Sequence, residues 1–349
     1  METIEINGKT IGLTSEPFVI AEAGINHNGN LDLAKKMILA AKGAGADAIK
    51  FQTFHAEEFI QDKTTTYTYI SQGKEVTESM LEMFKRYEFT ETEWFDIKDF
   101  CSEQNITFLS TPQNFTDLEL LIKIGIPAIK IGSDDFVNIP LIRQYAGIGL
   151  PMMLSCGMAN EDEITKTIDE VANNPTILFL CTSQYPTPPE DVNILKINTL
   201  KQNYPNVILG LSDHTQGTEA AVMAVALGAT VFEKHFTMDH DLPGPDHWFS
   251  NDPKELEHWI SSIRTAHRMK GNSKLAPTAS EIEMRKIAHR SITILKNMRI
   301  GETFSSDNLG MRRPGTGLPA SLWDSIIGKK ARRNLIAGTQ LCMEDVNND

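Results

Sequence analysis

Cysteine is scarce in this chain: four residues in 349, Cys101, Cys156, Cys181 and Cys342, far apart and without a C-x-x-C pair. That excludes a zinc-cluster motif and a disulfide framework and suits a reducing cytosol. No apolar run reaches the ~18 residues of a membrane span, and METIEINGKTIGLTSEP lacks the basic-then-apolar order of an export signal. A cytoplasmic protein is expected. Basic residues are outnumbered, 33 against 46 acidic, and the net charge of −13 repels nucleic acid and anionic membranes over the surface at large. Neither is expected as a partner, and any basic pocket has to be local. No G-x-G-x-x-G or Walker loop follows a strand-like run. The glycines of GAGAD (43–47) precede one and read as a helix end.

What is present is an alternation. Short runs rich in Val, Ile and Phe recur at 17–22, 46–53, 106–111, 128–133, 151–156, 176–183, 207–213 and 229–235, each followed by a polar turn and an amphipathic stretch. Leu33, Met37, Leu39 and Ala40 recur at helical spacing after the first run, as do Leu118, Leu121 and Ile122 after the third. Eight β/α units within about 270 residues match the size of a (β/α)8 TIM barrel, the runner-up being an open doubly wound sheet. The fold class is therefore α/β, with a barrel over 1–270.

After Met269 the alternation stops. Residues 271–287, opening on GNSKLAPTASE, read as a linker, and 288–349 as a small β-rich domain. Within it IGETFSSDNL (300–309) is echoed by AGTQLCMEDV (337–346), with Gly301 and Gly338 as equivalents. A duplicated hairpin-like half is the natural reading.

In a barrel the carboxyl ends of the strands converge on one mouth. The proposed strands end with Glu22, with Lys50 and Gln52, with Ser110 and Thr111, with Lys130 and Ser133, with Ser155, with Ser183 and Tyr185, with Ser212, Asp213 and His214, and with Glu233 and His235. His214 and His235 end adjacent strands, where two neutral imidazoles either share a divalent cation or serve as hydrogen-bonded structural residues. Lys50 and Lys130 are cations in apolar strands. They need an anion, either a phosphate or carboxylate ligand or a strand-end acid such as Glu22 or Asp213. With hydroxyls at Ser133, Ser155 and Ser212 they form the donor cluster that a small, multiply charged anion requires. Glu22, among these cations, is expected to stay ionised and to act as a base toward water.

IAEAGINHNG (20–29), KFQT (50–53), STP (110–112), KIGS (130–133), YPTP (185–188), GLSDHT (210–215), EKHFT (233–237) and GPDH (244–247) together resemble the N-acetylneuraminate (sialic acid) synthase family, with its legionaminic and pseudaminic acid synthases. RRPGTG (312–317) and IGKKA (327–331) are similar to its C-terminal SAF, or antifreeze-like, module, a β-clip-like fold. The resemblance implies a condensation of phosphoenolpyruvate with an open-chain N-acyl amino sugar, giving a nine-carbon 2-keto acid and phosphate. It implies Mn2+, or another divalent ion such as Mg2+ or Co2+, on His214 and His235, with Glu22 handling the protons of water. It further places phosphoenolpyruvate on Lys50, Lys130, Ser133, Ser155 and Ser212, and the sugar end on Gln52, Tyr185 and Asp246. Arg313 matches an arginine that enters the partner subunit's site to contact the N-acyl group, which implies a domain-swapped homodimer.

Two residues depart from the family pattern. Ser183 stands where several members carry a ligand-contacting asparagine, and Cys156 replaces a common threonine, giving LSCGM. EAGINHNG is nearer the sialic and legionaminic branches than the pseudaminic one. N-acetylmannosamine is the first expected sugar and 2,4-diacetamido-2,4,6-trideoxymannose the second. The competing readings are a Schiff-base aldolase using Lys50 or Lys130, and a carbohydrate- or ice-binding protein with an inert barrel.

Overall fold

In the computed structural model, which describes residues 3–347, the eight apolar runs are strands of one sheet. In chain order the strands are β1 (Thr3–Ile6), β2 (Lys9–Gly12), β3 (Phe18–Gly24), β4 (Ala48–Thr53), β5 (Thr66–Ser71), β6 (Lys74–Ser79), β7 (Thr107–Pro112), β8 (Ile129–Ile131), β9 (Met152–Ser155), β10 (Thr176–Cys181), β11 (Ile208–Asp213), β12 (Val231–His235), β13 (Ser291–Ile294) and β14 (Leu309–Arg312). The large sheet runs β7-β4-β3-β12-β11-β10-β9-β8 with every paired register parallel. Its end strands, β7 and β8, lie side by side without a ladder of hydrogen bonds, so the sheet is a near-closed TIM-like barrel.

Helices cover its outside. The helix Leu31–Gly43 starts where the Asn30 side chain accepts the Leu33 N–H and ends in the glycines of GAGAD. Its inner face is Ala34, Met37, Ile38 and Ala41, while Leu39, expected inside, is about half exposed. The inward stripe is thus one residue removed from the one the spacing suggested.

Alternation along the strands makes two chemically different zones. In β3 Val19, Ala21 and Ala23 pack under the helices, while Phe18 and Ile20 point into the barrel with Ala48, Leu109, Met153, Ile177, Phe179, Ile208 and Val231. Gly210 leaves room for the Phe179 ring, which a β-carbon there would approach to 2.7 Å. Continued by the period of two, these inward rows become Glu22 in β3, Lys50 in β4 and Glu233 in β12, so the barrel filling is apolar at one end and charged at the mouth. At the apolar end the β1–β2 hairpin, turned at Asn7-Gly8 with φ of 49° and 75°, inserts Ile4, Ile6 and Ile11 into that cluster.

The chain divides into two compact units, Met1–Gly271 and Asn272–Asp349. The stretch expected as linker is irregular only as far as Thr278, whose side chain caps a helix over Ala279–Ala288 with no buried residue. The T-x-x-E pair at the start of that helix, Thr278 and Glu281, is a capping box that the turn-rich sequence before it obscured.

The second unit has its own core of Ile292, Ile294, Met298, Phe304, Leu309, Leu335, Leu341 and Val346. Its internal echo is a pseudo-two-fold: Gly301 N–H donates to Ala331 O and Gly338 N–H to Ile294 O, at 2.7 and 2.8 Å, residues that interchange under the 37-position offset. The Ile300 and Ala337 amides likewise donate to Asn334 and Asn297 side chains, both at 2.9 Å.

Candidate active site at the barrel mouth

Parallel register fixes who meets whom. Glu22 lies opposite Lys50 on one side and His235 on the other, and Ser212 lies between Cys181 and Glu233. The charged ends of the inward rows form a floor with almost no access to water. Lys50 Nζ sits 2.8 Å from Glu22 Oε2, donates to Thr111 Oγ1 at 3.0 Å, and is 3.8 Å from Glu233 Oε2. Lys130 Nζ and Ser212 Oγ both donate to Glu233 Oε1 at 3.2 Å. Two lysines and two glutamates, each under 5 % exposed, therefore balance one another where any one alone would be prohibitive.

The two acids are not equivalent. Burial pushes both carboxyls up, but Glu233 has Lys130 and Lys50 together and is held at about 2. Burial outweighs Lys50 at Glu22, with Glu233 adding to the rise, and its pKa reaches about 7. Burial therefore makes Glu22 take up a proton more readily than its ion pair with Lys50 alone suggests. Asp213, the other strand-end acid expected as a partner for Lys50 or Lys130, is taken by Lys234 at 3.0 Å and by the Trp259 indole N–H at 2.9 Å.

Beside this floor the imidazoles of His214 and His235 face each other with centroids 5.4 Å apart, and Tyr185 packs on both at 4.2 and 5.6 Å. The Thr182 carbonyl lies 2.8 Å from His214 Nδ1, which fixes the proton there and leaves Nε2 as a lone pair near Ser212. His235 Nδ1 is buried without a hydrogen-bond partner, 4.0 Å from Asp246 Oδ2. Burial, followed by His214 and Lys50, keeps His235 neutral, well below the ordinary imidazole pKa. Burial opposes protonation of His214 too, but the Cys181 thiol at 3.9 Å and the Thr182 carbonyl outweigh it and raise that pKa, so a cation at Nε2 competes with a proton. Two adjacent imidazoles, one with Nε2 held only by the Ser212 hydroxyl at 3.5 Å and one with an orphaned Nδ1, fit a divalent ion.

One cavity of about 620 Å3 collects Glu22, Lys50, Gln52, Lys130, Ser133, Ser155, Ser183, Tyr185, Ser212, His214, His235 and Asp246. Eleven of these lie at or just past the ends of barrel strands and the twelfth, Asp246, in the loop after β12, while Ser110 and Asp213, also at strand ends, do not line the cavity. Ser133 Oγ accepts the Gly157 N–H at 3.1 Å, and Ser155 Oγ, Ser183 Oγ and Glu22 Oε1 are buried without hydrogen-bond partners. Arg313 belongs to the second unit, where it is exposed and its Nε donates to the Ala288 carbonyl at 2.8 Å. Cys156, at the threonine position of the family pattern, points its thiol at the Phe179 carbonyl, 3.2 Å away.

Family models match both parts of the chain: the NeuB family over residues 37–275 and the SAF domain over 289–347. The chain belongs to the NeuB family. It is 37% identical to the N,N'-diacetyllegionaminic acid synthase of Legionella pneumophila, over 98% of both chains. It is 40% identical, over 96% of both, to an uncharacterized protein of Methanocaldococcus jannaschii. Among solved structures, the N-acetylneuraminic acid synthetase of Leptospira borgpetersenii, crystallised with citrate, matches with a TM-score of 0.73 at 37% identity, covering 81% of this chain and 95% of that one. The NeuB chain described here is accordingly a sialic acid-type synthase by family.

Sequence reasoning left out part of this NeuB site. Glu233 was placed at a strand end without a role, yet it is the anion that both lysines share. The residues Phe59, Tyr67, Met80, Met83 and Phe84, from the excursion between β4 and the helix Glu91–Glu103, also line the cavity. Their signal was available: alternating Tyr67 and Tyr69 with a Gln72-Gly73 turn at φ of 51° and 72° is the pattern of the β5–β6 hairpin.

Proposed function

We propose that the chain condenses phosphoenolpyruvate with the open-chain form of an N-acyl amino sugar of the sialic or legionaminic type, releasing phosphate. The observation that carries this reading is the paired floor, Lys50 and Lys130 on Glu22 and Glu233, beside two facing imidazoles in one cavity. The lysines with Ser133, Ser155 and Ser212 hold the phosphate and carboxylate of phosphoenolpyruvate, offering charged and neutral donors to a trianion. Gln52, Tyr185 and Asp246 orient the sugar so that its aldehyde carbon meets C3 of phosphoenolpyruvate.

His214 and His235 would hold a divalent ion such as Mn2+, which supplies Lewis-acid polarisation of the aldehyde when bound. As the new C–C bond forms, positive charge develops at C2 of phosphoenolpyruvate. Glu233, held ionised, lies within the same buried cluster to offset it. Water adds at C2, Glu22 takes its proton, and the same carboxyl returns a proton as the tetrahedral species loses phosphate by C–O cleavage. Arg313 serves the site of the partner subunit in a domain-swapped homodimer.

Phosphoenolpyruvate labelled with 18O in the bridging position tests the bond that breaks. The label is expected in inorganic phosphate. Label retained in the organic product would mean P–O cleavage and would overturn the reading.

A further inference from the structure

Behind the imidazoles, on the outer side of the sheet, lies a buried charged cluster that the proposed reaction does not use. Side chains alternate along a strand, so a residue between two that enter the barrel points out toward the helices. Ser212 and His214 line the cavity from the end of β11, as Glu233 and His235 do from the end of β12. Asp213 and Lys234 lie between them, opposite each other in the parallel register. Lys234 Nζ meets Asp213 Oδ2 at 3.0 Å, with side chains only 3 % and 1 % exposed. The indole N–H of Trp259, from the buried face of the helix Pro253–Lys270, donates to the same oxygen at 2.9 Å, and its ring lies 5.7 Å from the ammonium. Asp213 Oδ1 accepts the N–H and the hydroxyl of Thr215 at 2.9 and 2.7 Å, and Lys234 also donates to the Thr215 carbonyl. All three polar groups of the residue that follows His214 are thus tied to one ion pair.

Stability alone does not account for this cluster, because a well-packed apolar pair of similar volume is often as stable as a buried ion pair or more so. What the ion pair adds is direction. The regular pairing of β11 with β12 ends at Asp213 and Lys234, one residue short of both histidines, so between these strands no backbone register sets His214 against His235. The bonds to Thr215 continue that register past its end. We propose that Asp213, Lys234 and Trp259 are positioning residues for the metal, fixing through the backbone the separation and tilt of His214 and His235 and thereby the affinity of the pair for a divalent ion. The inference rests on the ion-holding role proposed above for the two imidazoles. Ligand distances in such sites hold within about 0.2 Å, and groups behind metal ligands are worth roughly 10- to 100-fold in metal affinity.

The full chain, stripped of metal, is titrated with Mn2+ and the free ion read by electron paramagnetic resonance. The native chain is expected to bind an ion that the His214→Ala, His235→Ala double variant does not. Asp213→Asn combined with Lys234→Met removes both charges at nearly constant shape, and is expected to weaken that binding by roughly ten-fold or more. Phosphoenolpyruvate, held on the Lys50 and Lys130 floor, is expected to bind this variant within a few-fold of native, which a general distortion of the barrel mouth would not allow. Trp259→Phe keeps a ring beside Lys234 and removes one bond to Asp213. It is expected to weaken Mn2+ in the same direction by less, and it decides the matter should the charge-free variant not fold. Native-like Mn2+ affinity in the deciding variant, or a loss matched by an equal loss of phosphoenolpyruvate binding, would overturn the inference and leave the metal role of the histidines standing. A native chain that binds no more Mn2+ than the histidine variant would instead overturn that role, and this inference with it.

Discussion

At the scale of single residues, the site is a set of groups whose environments are pushed apart. Glu22 and Glu233 are chemically identical and differ in their surroundings: burial outweighs Lys50 at Glu22 and raises it to about 7, while Lys130, Lys50 and His235 together outweigh burial at Glu233 and hold it at about 2. Glu22→Gln keeps the shape and removes the proton carrier, so kcat is expected to fall by on the order of 100-fold or more, with KM for phosphoenolpyruvate within a few-fold of native. Steady-state phosphate release on the purified variant checks both. His27 carries a different consequence. It is fully buried, stacked on Phe89 at 4.3 Å, and burial, with His247 beside it, lowers its pKa to about 3. Below the ordinary imidazole value of about 6.5 the unfolded chain takes up a proton that the folded one refuses, so stability falls with pH by about 2 kcal/mol between about pH 7 and 5 from this residue. Denaturant midpoints against pH are expected to show that slope in the native chain and a shallower one in His27→Gln.

Among the elements, the outer hairpins show what position does to function. The β1–β2 hairpin fills the end of the barrel away from the mouth, and Ile6 within it has no exposed surface. Ile6→Ala is expected to cost roughly 2–5 kcal/mol of stability with kcat/KM unchanged, which denaturation and kinetics on one preparation would show. The eight barrel strands were legible because each is a buried parallel strand, a continuous apolar run that ends on polar residues. Both hairpins were missed despite Asn7-Gly8 and Gln72-Gly73 at their turns, since a short alternating pair is weak beside eight strong runs. Leu39 was misplaced for a related reason: helical spacing fixes a stripe only to within a residue or so. Eleven site residues were legible because strand ends converge, and Asp246 through the GPDH likeness to the family. The role of Glu233 was not, because its meaning lies in two lysines brought to it from β4 and β8, contacts between distant positions that no local pattern carries.

For the molecule as a whole, the echo between residues 300–309 and 337–346 was legible and proves to be a pseudo-two-fold of reciprocal hydrogen bonds. The proposed service of Arg313 to a partner subunit predicts complementation: Arg313→Ala and Glu22→Ala chains, each inactive, are expected to regain activity when mixed and exchanged, about a quarter of native or less by the statistics of pairing. Mixed chains that stay inactive despite measured exchange would confine Arg313 to its own subunit. The central claim is that floor, imidazoles and sugar contacts act as one metal-assisted condensing site. Phosphate release from phosphoenolpyruvate, measured with and without an N-acyl amino sugar and Mn2+, tests it most directly. The account predicts release only when sugar and metal are both present, lost on chelation and restored by adding the ion back; release that persists in chelator, or a pyruvate adduct on Lys50 or Lys130 trapped by borohydride, would contradict it.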